Sequence, residues 1–170
     1  MQDTIVNRVA ESALVSLSLE DLYSKADVKG FDLKDFLFMG LILKEKEYRE
    51  ALKQFDWTVY AGVEVAVFCS ADAIVPMWAY MLAAAYLQPV CKTVVFGTEE
   101  TVKAQLLLLT IANLPVDDFK DKRVVVKGCG ELPIGEAAYL AITAKLLPVA
   151  KSIMYGEPCS TVPIFKRAKV

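Results

Sequence analysis

Three cysteines follow short apolar segments that have the composition of β-strands. Cys69 ends the run VEVAVFC, Cys129 ends RVVVKGC, and Cys159 follows SIMYGEP near the C-terminus. A thiol between a strand and a helix lies near the helix N-terminus, where backbone N–H groups and the helix dipole stabilise thiolate. Thiolate is the form that attacks electrophiles, accepts sulfur and binds soft metals. These thiols are therefore the first candidates for chemistry.

Two functions and one structural role fit these thiols. In the first function, Cys69, Cys129 and Cys159 bind a transition metal or an iron–sulfur cluster, with Asp72 as a fourth ligand. In the second, Cys69 or Cys129 is a catalytic thiol that carries persulfide or disulfide chemistry, and another thiol resolves it. The structural role is core packing, since cysteine is small and usually buried. Asp72 has its own alternative, which is to cap the helix that follows it.

Composition excludes several classes of site. The chain has no histidine, so Ser-His-Asp and Cys-His catalysis and imidazole-based zinc sites are excluded. The net charge of −2 and the dispersed lysines and arginines argue against a nucleic-acid surface. The N-terminus lacks a basic region followed by an unbroken apolar stretch, so we expect no secretory signal, a cytoplasmic location and reduced thiols.

One segment has the length of a membrane span. Residues 73–91 carry no charge, but they include Pro76 and many alanines. We therefore expect a buried helix followed by a turn, and no membrane partner.

An internal repeat organises the chain. Residues 79–97 (AYMLAAAYLQPVCKTVVFG) align without a gap with residues 138–156 (AYLAITAKLLPVAKSIMYG) at a shift of 59, and eight of nineteen positions are identical. Each copy predicts strand, helix, strand: residues 63–69, 73–87 and 92–96 in the first, and 124–129, 134–147 and 151–155 in the second. Each helix stops against a proline, which cannot continue it. Two parallel βαβ units are therefore predicted.

The predicted fold class is α/β, with one open, mainly parallel sheet in the order 2-1-3-4. This order places the strands that end at Cys69 and Cys129 side by side, so that both thiols face one cleft beyond the carboxyl ends of the strands. A single domain of residues 1–170 is predicted. It comprises an added N-terminal extension (1–57), the first unit (58–97), a linking helix (98–122) and the second unit with its tail (123–170).

The N-terminal extension does not repeat. Residues 12–22 (SALVSLSLEDL) alternate apolar and polar side chains and predict a strand. Residues 31–55 predict a long helix that is capped by Asp32 and has a charged face toward solvent.

The sequence resembles a bacterial family known as domain of unknown function 2480. The resemblance rests on CSADAIVPMWAYMLAAAYLQP, VVFG, KGC and PVAKSIMYGEPCSTVPIFK, and on IVNRVAESALVSLSLEDLY and FDLKDFLFMGLILKEKEYRE near the N-terminus, so it covers nearly the whole chain. It implies no established activity. It does imply an association with components of sulfur-mobilising iron–sulfur assembly, which are the expected partners. The matching positions that carry chemistry are Cys69, Asp72, Cys129, Glu157 and Cys159.

Three functions remain open from the sequence. The main hypothesis is an accessory protein whose thiol-lined cleft handles metal or sulfur. The second is a non-catalytic scaffold with exposed apolar surfaces, and the high apolar content also fits a homodimer. The third is an enzyme that binds a small anion at a helix N-terminus, for which the loop KGCGELPIG (127–135) is the candidate, although it matches no dinucleotide or P-loop motif.

Overall fold

The computed structural model describes residues 14–127, 130–157 and 159–168. The chain forms two compact units. We call residues 24–105 the central unit and residues 1–23 with 106–170 the terminal unit. The regular elements in chain order are β1 (Leu14–Leu17), α1 (Leu19–Leu22), β2 (Val28–Asp32), α2 (Glu45–Gln54), β3 (Glu64–Phe68), α3 (Met77–Leu87), β4 (Thr93–Phe96), α4 (Glu99–Asn113), β5 (Arg123–Val126), α5 (Glu136–Leu146), β6 (Ser152–Glu157) and β7 (Ser160–Lys166), with 3₁₀ turns at Leu33–Phe36, Trp57–Tyr60 and Asp117–Phe119.

The central unit contains a three-stranded parallel sheet in the order β2-β3-β4. The middle strand, β3, is almost wholly buried, which explains its unbroken run of apolar residues after Glu64. Its core combines the strand residues Val65 and Val67 with the buried face of α3 and an aromatic group around Phe31.

The terminal unit contains a four-stranded sheet in the order β1-β5-β6-β7. The first three strands are parallel, and β7 returns antiparallel to β6 through a tight hairpin. Val124, Ile142, Leu146 and Ile153 form the centre of its core and are fully or almost fully buried.

The repeat is visible in the packing of the two units. The helices α3 and α5 bury the same positions, namely Ala79 and Ala138, Ala83 and Ile142, and Leu87 and Leu146. Both helices connect parallel strands, β3 to β4 and β5 to β6, as expected. The protein is thus a mixed α/β protein with two mostly parallel sheets.

The predicted single sheet in the order 2-1-3-4 is wrong. That order requires β3 to pair with β5, whereas β3 pairs with β2 and β4, and β5 pairs with β1 and β6. The physical reason lies in the N-terminal segment, which supplies two strands. The strand β2 pairs with one edge of β3, and β1 pairs with one edge of β5. The edges through which β3 and β5 would have paired with each other are therefore already occupied.

The predicted long helix over residues 31–55 is also wrong. Phe31 belongs to β2, where it pairs with Val67, and the helix α2 begins only at Glu45. Asp32 does cap a helix, but that helix is the 3₁₀ turn that starts at Leu33. The predicted strand over residues 12–22 is found in part, as β1. Of the linking segment 98–122, residues Glu99–Asn113 form the helix α4, and the boundary between the units falls within this helix.

The segment that resembled a membrane span folds as the short helix α3 followed by a turn, but the helix is buried on one face only, since Met77 and Met81 are exposed. Among the residues described, no helix is both long and apolar enough to cross a membrane.

Candidate functional site

The described thiols lie on two different sheets. Cys69 directly follows β3 in the central sheet, whereas Cys159 is exposed in the turn between β6 and β7 of the terminal sheet. Cys129 lies outside the described residues. The pairing of β3 with β5, from which the common cleft was predicted, is wrong. Over the described ranges, no group of three or more Cys, Asp and Glu side chains is placed to hold a metal ion.

Asp72 does not cap a helix. The helix α3 begins only at Met77, and its N-cap residue is Pro76, which makes no side-chain capping bond. Asp72 is exposed in the loop between Cys69 and this helix. The assignment of Cys69, Cys129, Cys159 and Asp72 as metal ligands stays a prediction.

A polar link joins the carboxyl ends of β2 and β3 in the central unit. The Asp32 carboxylate accepts hydrogen bonds from the Ser70 hydroxyl at 2.5 Å, from the Ser70 amide at 3.0 Å and from the Lys34 amide at 2.9 Å. Partial burial pushes the pKa of Asp32 up, but the Ser70 hydroxyl and the two amides outweigh it, so the pKa lies below its usual value. Asp32 is thus an ionised, hydrogen-bonded anchor of this edge.

Cys69 and Tyr80 lie beside this link. The Cys69 thiol is half-buried and contacts the Ala71 carbonyl oxygen at 3.7 Å. Burial raises the pKa of Tyr80, and the neighbouring Cys69 and Asp32 raise it further, which places the phenol within electrostatic reach of both. The carboxyl edge of the central sheet therefore presents a half-buried cysteine near a hydrogen-bonded carboxylate and a phenol.

The sequence interpretation made Asp32 the cap of a long helix, whereas the residue ends β2 at the carboxyl edge of the central sheet. Its segment VKGFD was assigned partly to a helix, so Asp32 was not grouped with Cys69. VKGFD carries no period-two signal for a strand, since its buried residues, Val28 and Phe31, lie three positions apart. Because β2 and β3 are parallel and Asp32 pairs with Phe68, Asp32 lies next to the point where the chain continues from β3 into Cys69.

At the corresponding edge of the terminal sheet, the Glu20 carboxylate lies against the loop that follows β5. The Glu20 Oε1 atom accepts a hydrogen bond from the Leu132 amide at 2.8 Å. The Glu20 carboxylate packs against Gly130 so closely that a β-carbon at this position would overlap it. The described residues around this contact leave a small polar cavity of about 90 Å³, whose lining includes Ser18, Glu20 and Lys127. A free anion would meet the Glu20 charge here, which weakens the small-anion hypothesis.

A large apolar groove lies in the terminal unit. We call it the terminal groove; its volume is about 850 Å³, and one wall is the flank of α5 while the other is formed by β6 and β7. It is lined by Val126, Ile134, Glu136, Tyr139, Leu140, Thr143, Ala144, Leu147, Ile153, Met154, Tyr155 and Ile164. Tyr139 and Tyr155 meet edge to face across it, with ring centroids 5.7 Å apart.

A charged residue lies toward each end of α5, and one of the two, Glu136, lines the terminal groove. Glu136 is the charged residue among its lining residues and belongs to the first turn of α5. At the other end, the Arg167 guanidinium donates hydrogen bonds to the carbonyl oxygens of Leu147 and Pro148. The Arg167 side chain thus caps the helix C-terminus, where cations are favoured.

Comparison with known proteins identifies one family. A family model described as "Protein of unknown function (DUF2480)" matches residues 3–167 of the 170 residues. Neither the curated proteins nor the solved structures give a match.

Proposed function

This chain belongs to the DUF2480 family, and we propose that it is an accessory protein. Its terminal groove binds an apolar segment of a partner protein, and this segment carries a basic residue. The observation that carries this proposal is the groove itself. Its volume falls within the range of about 300–1,000 Å³ that is typical of binding pockets, and its lining is mainly aliphatic and aromatic.

The exposure of the groove walls supports this function. Leu140 is 74% exposed on α5, and Ile164 is exposed on β7. Contiguous apolar side chains in contact with water are unfavourable by roughly 25 cal/mol per Å², so a partner that covers them gains this free energy. An amphipathic helix that projects aliphatic residues at spacings of three and four positions would place them along the α5 flank.

The charge of the groove selects the kind of segment. Glu136 places a carboxylate at one end, and an opposite charge on the partner would pair with it, whereas a carboxylate would be repelled. Arg167 caps the other end of α5 and is not among the lining residues, so Glu136 supplies the charge of the groove. A lysine or arginine near Glu136 is therefore the expected polar contact.

Iron–sulfur assembly proteins are the partners to test first, because the family resemblance implies an association with them. The direct test uses a labelled helical peptide of about fifteen residues with leucines at positions i, i+3 and i+7 and one terminal lysine, beside the same peptide with glutamate in place of lysine. Fluorescence anisotropy should show tighter binding of the lysine peptide. Leu140→Glu should weaken it about tenfold or more, since a buried leucine contributes about 1.5–3 kcal/mol.

The matched control is Met39→Glu, which changes an equally exposed apolar residue of the central unit. This variant should bind the lysine peptide as the wild type does. Equal binding of both peptides, or unchanged binding by Leu140→Glu, would remove the groove from consideration.

A second candidate function is sulfur transfer at Cys69. The observation that favours it is the half-buried thiol beside Tyr80 and the Asp32–Ser70 link. A persulfide needs one thiol, whereas a metal or an iron–sulfur cluster as cofactor needs several donors, and the described residues do not gather them. In this step, the Cys69 thiolate attacks the outer sulfur of a partner's cysteine persulfide. A new S–S bond forms at Cys69, the old S–S bond breaks, and the partner's cysteine leaves as thiolate.

Incubation with cysteine persulfide followed by mass spectrometry tests this transfer. The wild type should gain the mass of one sulfur atom at Cys69, Cys69→Ser should not, and Cys159→Ser should behave as the wild type. Metal and acid-labile sulfide content of anaerobically purified wild type and Cys129→Ser tests the metal-binding alternative. Stoichiometric metal that is lost in Cys129→Ser would favour that alternative over sulfur transfer.

A further inference from the structure

A tight turn between β2 and α2 presents a group of apolar side chains to water. We call Phe38, Met39, Leu41 and Ile42 the apolar tip; these residues are 43%, 81%, 62% and 61% exposed, respectively. The sequence of residues 37–43, LFMGLIL, contains no polar side chain. Contiguous exposed apolar side chains of this kind mark a contact with a protein or with a membrane.

The backbone of the turn holds the apolar tip in place. The Phe38 amide donates to the Ile42 carbonyl oxygen at 2.7 Å, and the amides of Leu41 and Ile42 donate to the Phe38 carbonyl oxygen at 3.1 and 3.2 Å. Met39 and Gly40 have positive φ values of +51° and +72°. Glycine, asparagine and aspartate are the residues that favour such positions. A methionine held there therefore indicates a function for its side chain.

A second loop leaves the central sheet at the same edge. Because β2 and β3 are parallel neighbours, the loops that follow them both start at the carboxyl edge of the sheet. The loop after β3 carries Ile74, which is 94% exposed, and leads to the exposed Met77 of α3. The hydrogen bonds between Asp32 and Ser70 tie the starts of the two loops together. This edge thus carries exposed apolar side chains from two loops.

The polar groups around the apolar tip favour lipid over protein as its contact. A protein interface forms about one hydrogen bond per 100–200 Å², and the side chains of the tip offer no donor. The amides of Phe38, Leu41 and Ile42 already donate within the turn, and backbone groups that are satisfied internally are what a hydrocarbon phase requires. The Lys44 ammonium lies 3.2 Å from the centre of the Phe38 ring, as a lysine does whose stem follows apolar surface up to a wet boundary.

We propose that the apolar tip and Ile74 insert into the interfacial region of a lipid bilayer, so that the protein binds a membrane surface without a spanning helix. The nearby charges select neutral lipid. Residues 33–47 contain three lysines and three acidic residues, Lys44 pairs with Glu47, and the second loop adds Asp72. Anionic head groups therefore give no gain, and binding depends on the burial of apolar surface. The expectation of no membrane partner was drawn from a spanning segment and does not concern such a contact.

Flotation of the full chain with phosphatidylcholine vesicles tests this contact. The wild type should float with them, no less than with vesicles that also contain phosphatidylserine, and high salt should change this little. Met39→Asp should weaken vesicle binding at least tenfold, because a charge would have to enter the apolar phase. Aspartate tolerates a positive φ, so this variant keeps the turn. Met81→Asp is the matched control, since Met81 is 72% exposed on α3 outside both loops, and it should bind as the wild type does.

Quenching by phosphatidylcholine with brominated acyl chains gives the depth of insertion. Leu41→Trp should add fluorescence that these lipids quench, whereas the fluorescence that Met81→Trp adds should stay unquenched. A wild type that does not float with the vesicles would overturn the proposal, and so would equal binding by Met39→Asp. Self-association that is lost in Met39→Asp, without any binding to vesicles, would assign the apolar tip to a protein contact and overturn it as well.

Discussion

Asp32→Ala should uncouple the first strand of the central sheet from the loop that carries Cys69. The carboxylate accepts three hydrogen bonds, of which two come from Ser70, thirty-eight residues away, and one from Lys34 in the adjacent turn. A hydrogen bond to a charged group contributes about 1.5–3 kcal/mol when buried, and less when solvent screens it as it does here. We expect a loss of about 2 kcal/mol at pH 7, of which about 1 kcal/mol is coupling to Ser70.

The sign of the pH dependence follows from the lowered pKa of Asp32. Because the folded state has the lower pKa, the stabilisation is present above the pKa of the unfolded chain, near 3.9, and is lost as the pH falls through the folded value. The difference between wild type and Asp32→Ala should therefore shrink in acid. Urea unfolding followed by tryptophan fluorescence measures this difference in the free energy of unfolding, since both tryptophans, Trp57 and Trp78, belong to the central unit.

Asp56→Ala is the matched control for this prediction. Asp56 makes the same local turn, in which its carboxylate accepts from the amide and hydroxyl of Thr58, but it has no partner from a distant strand among the described hydrogen bonds. Asp56→Ala should therefore lower the free energy of unfolding by less than Asp32→Ala does. The decisive measurement is the double variant of Asp32→Ala with Ser70→Ala. If the two single losses simply add, the carboxylate does not tie the strands together and the reasoning is refuted.

Three further predictions concern packing, backbone and thiol chemistry. Leu87 and Leu146 occupy equivalent, fully buried positions, and replacing either by alanine should cost about 2–5 kcal/mol in urea unfolding. A negligible loss for either variant would contradict the packing of that leucine in the core of its own unit. Gly156→Ala should cost about 1–3 kcal/mol in thermal unfolding, because φ is +119° and the new β-carbon would lie 2.6 Å from the Ser160 carbonyl oxygen. Burial raises the pKa of the Cys91 thiol, and Glu64 adds to the shift, so iodoacetamide should label Cys91 more slowly than the exposed Cys159 near pH 7, with the difference narrowing as the pH rises.

Local sequence determined the elements and the repeat. The apolar run of β3, the alanine-rich helices that stop before Pro89 and Pro148, and the shift of 59 residues all predicted two parallel βαβ units, and both are present. These features depend on hydrophobic periodicity and on the inability of proline to continue a helix, which act over a few residues. They need no knowledge of which strand neighbours which.

Strand pairing between distant segments was decided only by the tertiary structure. Two short strands from the N-terminal segment, β1 and β2, each complete a different unit, and no local pattern says which edge a strand will join. That choice separated the strand that ends at Cys69 from the strand that leads to Cys129, and it brought Asp32 beside Ser70 instead. The terminal groove has the same origin, because Leu140 and Ile164 become its walls only when β7 folds back on β6. Burial of a pairing edge depends on the whole chain, which is why the elements of the repeat could be predicted and the neighbours of their strands could not.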